Sequence, residues 1–199
     1  MTPSLIGIDW GTTSLRAYLI GAGDRVLERI EAPRGILAIE GGRFQQALDD
    51  AIAPWRQGHG PLPVLMSGMI GSRQGWAEAP YCRLPAGLAE LAGSLHAMPG
   101  GRQRIAIVAG VASLPADAAP DVMRGEETQV LGALAAMRLS DGLFVLPGTH
   151  SKWVTVVDGR ITAFKTYMTG EVFAAMKDHT ILGRLMADGD TGGEGFAAG

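Results

Sequence analysis

One plan occurs twice in this chain: an apolar strand, a Gly-Thr-x-Ser turn, a second apolar strand, a tight turn and a third strand. Residues 5–28 and 142–165 carry it, with Gly11, Thr12 and Ser14 of the first copy falling on Gly148, Thr149 and Ser151 of the second. Strands joined by such short turns pair antiparallel with their neighbours. Two unrelated hairpins with glycine turns are the plainer alternative. The matching strand context favours a duplicated half-domain in which each copy offers a turn to the same ligand. Backbone N–H groups and hydroxyls in such turns form anion-binding concavities. Two of them facing across a cleft suit a polyphosphate.

Composition narrows the rest. The chain has 199 residues, room for one large domain or two small ones at roughly 150 residues per domain. Hydrophobic residues make up 47% and charged residues 19%, enough to bury a core. A net charge of −3 argues against a general nucleic-acid surface, which needs clustered Lys and Arg. The longest apolar stretch, Ile105 to Leu114, is of strand length, and residues 1–20 lack the order of a signal peptide. The expectation is a cytoplasmic α/β protein without a membrane partner. Cys82 is the single cysteine, and His59, His96, His150 and His179 form no paired ligand motif. Glycine is the outlier at 29 residues, about twice the ordinary share of ~7%. Those beside Thr and Ser at strand ends are where backbone can approach a ligand.

Periodicity places the elements. Strands are expected over Ser4–Ile8, Leu15–Ile20 and Arg25–Ala32, and a helix from Phe44 to Trp55 with Pro54 near its end. A strand at Pro63–Ser67 feeds a loop rich in Gly, Ser and Arg. Pro85–Leu95 reads as helical, Arg104–Val111 as one buried strand and Asp117–Val122 as a loop. Glu126–Met137 reads as a helix with Val130, Leu131, Leu134 and Met137 on one face. Its first turn holds Glu126, Glu127 and Thr128, suited to the positive end of the helix dipole. Strands follow at Leu143–Leu146, Lys152–Val157 and Arg160–Tyr167, the last two joined by Asp158-Gly159. Thr169-Gly170-Glu171 opens a last helical region, and Asp188–Gly199 is glycine-rich.

The sharpest segment is Ile8-Asp9-Trp10-Gly11-Thr12-Thr13-Ser14-Leu15-Arg16. Phosphate does not approach a bare carboxylate without a cation between them. Asp9 therefore reads as a Mg²⁺ anchor through water, since Mg²⁺ keeps much of its hydration; a capping role is the alternative. Gly11 admits the backbone, and Thr12, Thr13 and Ser14 supply donors. The spacing is not that of a Walker loop.

Asp-x-Gly-Thr-Thr-Ser between two strands resembles the first phosphate motif of the actin-like ATPase and sugar-kinase superfamily. In its carbohydrate kinases, a Gly-rich sugar loop, a Gly-Asp-Gln helix start with the catalytic base, and a second Gly-Thr turn follow in order. Here Ser67–Trp76, Gly125–Gln129 and Pro147–Trp153 stand in that order. The strings Met-Arg-Gly-Glu-Glu-Thr-Gln, Pro-Gly-Thr-His-Ser-Lys-Trp-Val and Met-Thr-Gly-Glu are more specific and resemble the 2-dehydro-3-deoxygalactonokinase family over residues 4–199. Glu126 stands where the wider superfamily has Asp. The resemblance also implies further residues beyond Gly199, including an adenosine-binding segment.

The resemblance implies a duplicated actin-like (ribonuclease H-like) α/β fold, with an N-terminal domain over 1–138 and an incomplete second domain over 139–199. It implies a kinase using ATP and Mg²⁺ to phosphorylate the C6 hydroxyl of 2-dehydro-3-deoxy-D-galactonate. In that reading Asp9 organises Mg²⁺, and Gly11, Thr12, Thr13, Ser14, Gly148 and Thr149 hold ATP phosphates. Glu126 takes the hydroxyl proton, while Glu127, about 100° round the helix, complements the dipole. Ser67, Gly68, Arg73, Trp76 and Arg124 bind the sugar acid, with Arg73 pairing with its carboxylate. His150 is a neutral donor, and Lys152 an exposed residue at a strand start. Small molecules are the expected partners, with a homodimer as the expected assembly. A phosphatase or polyphosphatase on this fold, and a non-catalytic sugar-acid-binding module, are the rival readings.

Overall fold

The computed structural model describes residues 2–99 and 103–185; the glycine-rich stretch 188–199 lies outside them. The first copy of the repeated plan is an antiparallel meander of β1 (Pro3–Trp10), β2 (Leu15–Gly21) and β3 (Val26–Ala32). Alternate β1 residues Ile6, Ile8 and Trp10 point into the core, and the residues between them face the other way. Helix α1 (Phe44–His59) covers the buried face with Phe44, Ala47, Leu48, Ile52 and Trp55. It runs five residues past Pro54, whose ring is on the exposed side, and ends at Gly60 with φ 74°. β4 (Val64–Ser67) then pairs parallel to β1, which sets Ser67 beside Asp9.

After the loop come β5 (Tyr81–Arg83), β6 (Ala86–Gly87), α2 (Leu88–Gly93), β7 (His96–Ala97) and β8 (Ile105–Ile107). β9 (Gly110–Ser113), β10 (Asp121–Met123) and α3 (Glu126–Met137) follow. The main sheet has the order β3-β2-β1-β4-β8-β7, and a small sheet has the order β10-β9-β5. Three expectations are corrected here. Asp117–Val122 is not all loop, because Asp121 and Val122 pair with β9 as the start of β10. Arg104–Val111 is not one strand: β8 stays in the main sheet, and the chain crosses at Val108-Ala109 into the small sheet as β9. Of Pro85–Leu95, only Leu88–Gly93 is helical, because Ala86 and Gly87 pair with a later strand.

The second copy is the meander of β11 (Gly142–Leu146), β12 (Ser151–Val157) and β13 (Arg160–Tyr167), with β6 added beside β13. Asp158 and Gly159 both have positive φ, 50° and 70°, as a two-residue hairpin turn requires. Helix α4 (Thr169–His179) follows. Inward residues Val154, Val156, Ile161 and Phe164 share one hydrophobic cluster with Met123, Val130 and Leu134. Helix α3 is thus the wedge between the meanders. Its inner face is Val130 and Leu134, whereas Met137 is exposed.

Candidate active site

Four separate chain segments line one cleft of about 320 Å³. Asp9, Gly11 and Thr12 come from the first turn, and Gly68 and Met69 from the loop after β4. Arg124, Gly125, Glu126 and Gln129 come from the start of α3. Leu146, Pro147, Gly148, Thr149 and His150 come from the second turn. A larger cavity of about 510 Å³ touches Asp9, Arg16, Ser67, Gly125 and Thr128 from the other side.

The first turn is closed by Gly11 N–H donating to the Ser14 carbonyl at 2.9 Å. It is held from behind by Ile36 N–H on the Gly11 carbonyl and Leu37 N–H on the Thr12 carbonyl. At Gly35 a Cβ would lie 2.2 Å from the Thr12 carbonyl oxygen, so that strand-to-helix link seats directly on the turn. Asp9 is the last residue but one of β1, its side chain about one-third exposed, and Arg16 donates to its Oδ2 at 3.3 Å. Arg16 also pairs with Glu31 on β3, and these two bonds, Glu31 first, raise the Arg16 pKa above its usual value. Arg16 was not among the site residues expected from sequence. The signal was available: across a four-residue turn, Arg16 is the direct antiparallel partner of Asp9.

The base region is built on backbone contact. Gly125 has φ 108° and Gly68 has φ 95°, both in the region that favours glycine. A Cβ on Gly125 would sit 3.1 Å from Gly68 Cα, and one on Gly68 would sit 2.8 Å from the Trp10 carbonyl oxygen. The three loops therefore touch main chain to main chain. Glu126 faces the cleft and accepts the Arg124 N–H at 3.0 Å. Glu127 is fully buried, not a carboxylate that merely complements the dipole. Both its oxygens accept the Gly125 N–H, at 2.9 and 2.7 Å. Burial pushes its carboxyl up to about 7, and Glu126 adds to that, while the Gly125 amide and Arg124 oppose it.

Ser67, Arg73, Trp76, Thr13 and Ser14 do not line the cleft. Ser67 lies behind it, its hydroxyl 2.8 Å from Thr128 Oγ1. Arg73 points away, 86% exposed, and pairs with Glu78 at 3.0 Å. Trp76 packs against the first core. Arg124 is the buried arginine of the site. Its Nη2 donates to the Ala79 carbonyl at 2.8 Å, its guanidinium lies 4.2 Å over the Tyr81 ring, and Nε and Nη1 have no partner among the described residues.

In the second turn, Gly148 N–H donates to Ser151 Oγ at 3.4 Å, and Ser151 Oγ in turn bonds Thr169 Oγ1. Glu171 N–H donates to the Thr149 carbonyl, and its carboxylate meets His150 Nε2 at 2.6 Å. The start of α4 thus braces the turn. Lys152 is not exposed: it is buried, donates to the Val122 carbonyl and Thr166 Oγ1, and lies 3.7 Å from Asp121. A buried ammonium needs such partners, and they tie β12 to β10.

As to Mg²⁺, no group of three or more His, Cys, Asp or Glu residues among the described residues could hold a metal ion. A single carboxylate beside the two Gly-Thr turns still fits, because Mg²⁺ is commonly held by one or two carboxylates, substrate phosphates and water. Arg16 occupies Asp9 Oδ2, leaving Oδ1 toward Gly68.

Comparison with known proteins agrees with this arrangement. A protein of Rhizobium meliloti (strain 1021) named probable 2-dehydro-3-deoxygalactonokinase is 43% identical over 96% of this chain and 62% of its own length. The 2-dehydro-3-deoxygalactonokinase of Escherichia coli (strain K12) is 37% identical over 100% of this chain and 65% of its own. A crystal structure from Sinorhizobium meliloti, provisionally assigned to the same activity, superposes with a TM-score of 0.84 at 41% identity, covering 94% of this chain and 61% of that one. The chain therefore spans less than two thirds of the relatives it matches. The 2-keto-3-deoxy-galactonokinase family description matches residues 9–199. This chain belongs to that family.

Proposed function

We propose that this chain supplies the phosphate-holding turns and the sugar-acid side of an ATP-dependent kinase acting on 2-dehydro-3-deoxy-D-galactonate, with the C6 hydroxyl as acceptor. The observation that carries the reading is the convergence of both Gly-Thr turns, the Gly68 loop and Glu126 on one cleft. The names of the relatives supply the substrate. The two meanders with matching turns support a duplicated actin-like fold, with units over 1–138 and 139–199.

Phosphoryl transfer asks the protein mainly to position groups and stabilise charge. Thr12 on one wall and Thr149 on the other present amides and hydroxyls to the phosphates, while Gly11 and Gly148, whose N–H groups close their own turns, let the phosphates approach the backbone. Asp9 would hold Mg²⁺, which supplies positive charge between phosphate and carboxylate when bound with ATP. Glu126 orients the acceptor hydroxyl and accepts its proton. Arg124 lines the cleft and Arg73 does not, so Arg124 is the better candidate to pair with the substrate carboxylate. Phosphorus NMR and mass spectrometry of the product made by the complete gene product test this. A single phosphoester at C6 is expected; ATP consumption that leaves the sugar acid unmodified would overturn it.

A further inference from the structure

We infer that Glu127 is a positioning residue for phosphoryl transfer: its buried carboxylate holds the Gly125 amide and, through Thr128, the Ser67 hydroxyl, so that the peptide carrying Glu126 and the loop beside Asp9 form one rigid cradle. The inference rests on the kinase reading above.

Gly125 lies immediately before α3, where backbone N–H groups have no helical acceptor. Gly125 has positive φ, and Glu127 takes its N–H with both carboxylate oxygens. Thr128 Oγ1 donates to Glu127 Oε1 at 3.3 Å and lies 2.8 Å from Ser67 Oγ. Where it is ionised, above about pH 7, the carboxylate is acceptor-only and fixes the direction of the chain. Thr128 donates to Glu127, Ser67 then donates to Thr128, and Ser67 borders the cavity shared with Asp9. Ser67 is also the residue paired in register with Asp9. Glu127 thereby couples the α3 start to the β1–β4 edge without itself lining the cleft.

The chemistry of the group supports a function beyond packing. Glutamine would fill the same volume and accept the same amide without burying a charge. Keeping a fully buried carboxylate, pushed up to about 7 by that burial, works against stability. Retaining such a group is expected where geometry at a reacting centre benefits. A misplacement of about 1 Å at a reacting centre can cost on the order of 10²-fold in rate.

The test is Glu127→Gln in the complete gene product, with steady-state and single-turnover rates, both KM values and Tm. The expected result is a kcat at least fivefold lower, both KM values within about threefold of wild type, and Tm unchanged or higher. A loss smaller than fivefold, or one matched by an equal loss of folded protein, overturns the positioning role. Should that variant fail to fold, Thr128→Val removes only the hydroxyl between Glu127 and Ser67. It too is expected to lower kcat without lowering Tm, and unchanged kcat overturns the inference. If wild-type protein shows no sugar-acid-dependent turnover, the kinase reading has failed and this inference falls with it. Wild-type turnover with an unaffected variant rejects the inference alone.

Discussion

Glu126 and Glu127 are neighbours in sequence with opposite surroundings. The first faces the cleft beside Gly68, and the second is sealed under Gly125. Which of the two turns inward depends on how α3 sits on the sheet, so sequence alone separated Glu126 as the base but read Glu127 as a dipole partner and missed its burial. A carboxyl raised from 4.5 to about 7 keeps its proton in the folded state after the unfolded chain has released it. Stability from this group is therefore greatest below about pH 4.5 and falls as pH rises through 7, by about 3 kcal/mol in all. Arg124 and Glu126 are the charged groups that act on it. Urea unfolding should show Glu127→Gln more stable than wild type at pH 8 and the advantage shrinking toward pH 5; a constant difference would contradict the buried-charge assignment. Glu126→Gln is expected to lower kcat by about 10²–10⁴-fold, the usual worth of general-base help, with substrate KM values little changed. Asp9→Asn is expected to abolish Mg²⁺-dependent turnover in folded protein, and near-normal kcat would remove the metal role.

At the scale of elements, the strands flanking the two Gly-Thr turns were readable because short apolar runs end sharply at Gly, Thr and Ser. Helix α3 was readable from end to end, since Gly125 precedes it and its acidic first turn marks the start. The apolar run from Ile105 to Val111 was not, because a run without periodicity does not show where a chain leaves one sheet for another. Nor was β6, where pairing with β13 overrides local helical preference. The direction of Arg73 depends on the path of an irregular loop and its Glu78 partner. The second turn depends on α4 in a way that can be tested. A Cβ at Gly170 would sit 2.6 Å from the Gly148 carbonyl oxygen and 2.9 Å from Thr149 Cα. Gly170→Ala should displace that turn and raise KM for ATP severalfold, with KM for the sugar acid much less affected; equal shifts would detach the turn from nucleotide binding.

Over the whole molecule, the second meander differs from an ordinary half-solvated sheet. Its inner face joins the second core, yet Leu143, Val145, Trp153, Val157 and Tyr167 make its outer side apolar as well. Helix α4 beside it buries no residue. Apolar residues on both faces are the pattern of a sheet covered on both sides, and an uncovered patch of this kind associates readily. The 199-residue chain alone should bind a hydrophobic dye strongly, and Trp153→Ser with Val157→Thr should reduce that signal without lowering Tm. The proposed site lies at the junction of the meanders, where Glu126 at the start of α3 shares one cleft with the two turns. No described helix is long and apolar enough to cross a membrane. The most direct measurement is ADP release by the complete gene product with ATP and Mg²⁺, with and without 2-dehydro-3-deoxy-D-galactonate. A sugar-acid kinase gives release that depends on the sugar acid and forms one phosphorylated sugar per ADP. Release at the same rate without the sugar acid, or none when it is present, would contradict the kinase assignment.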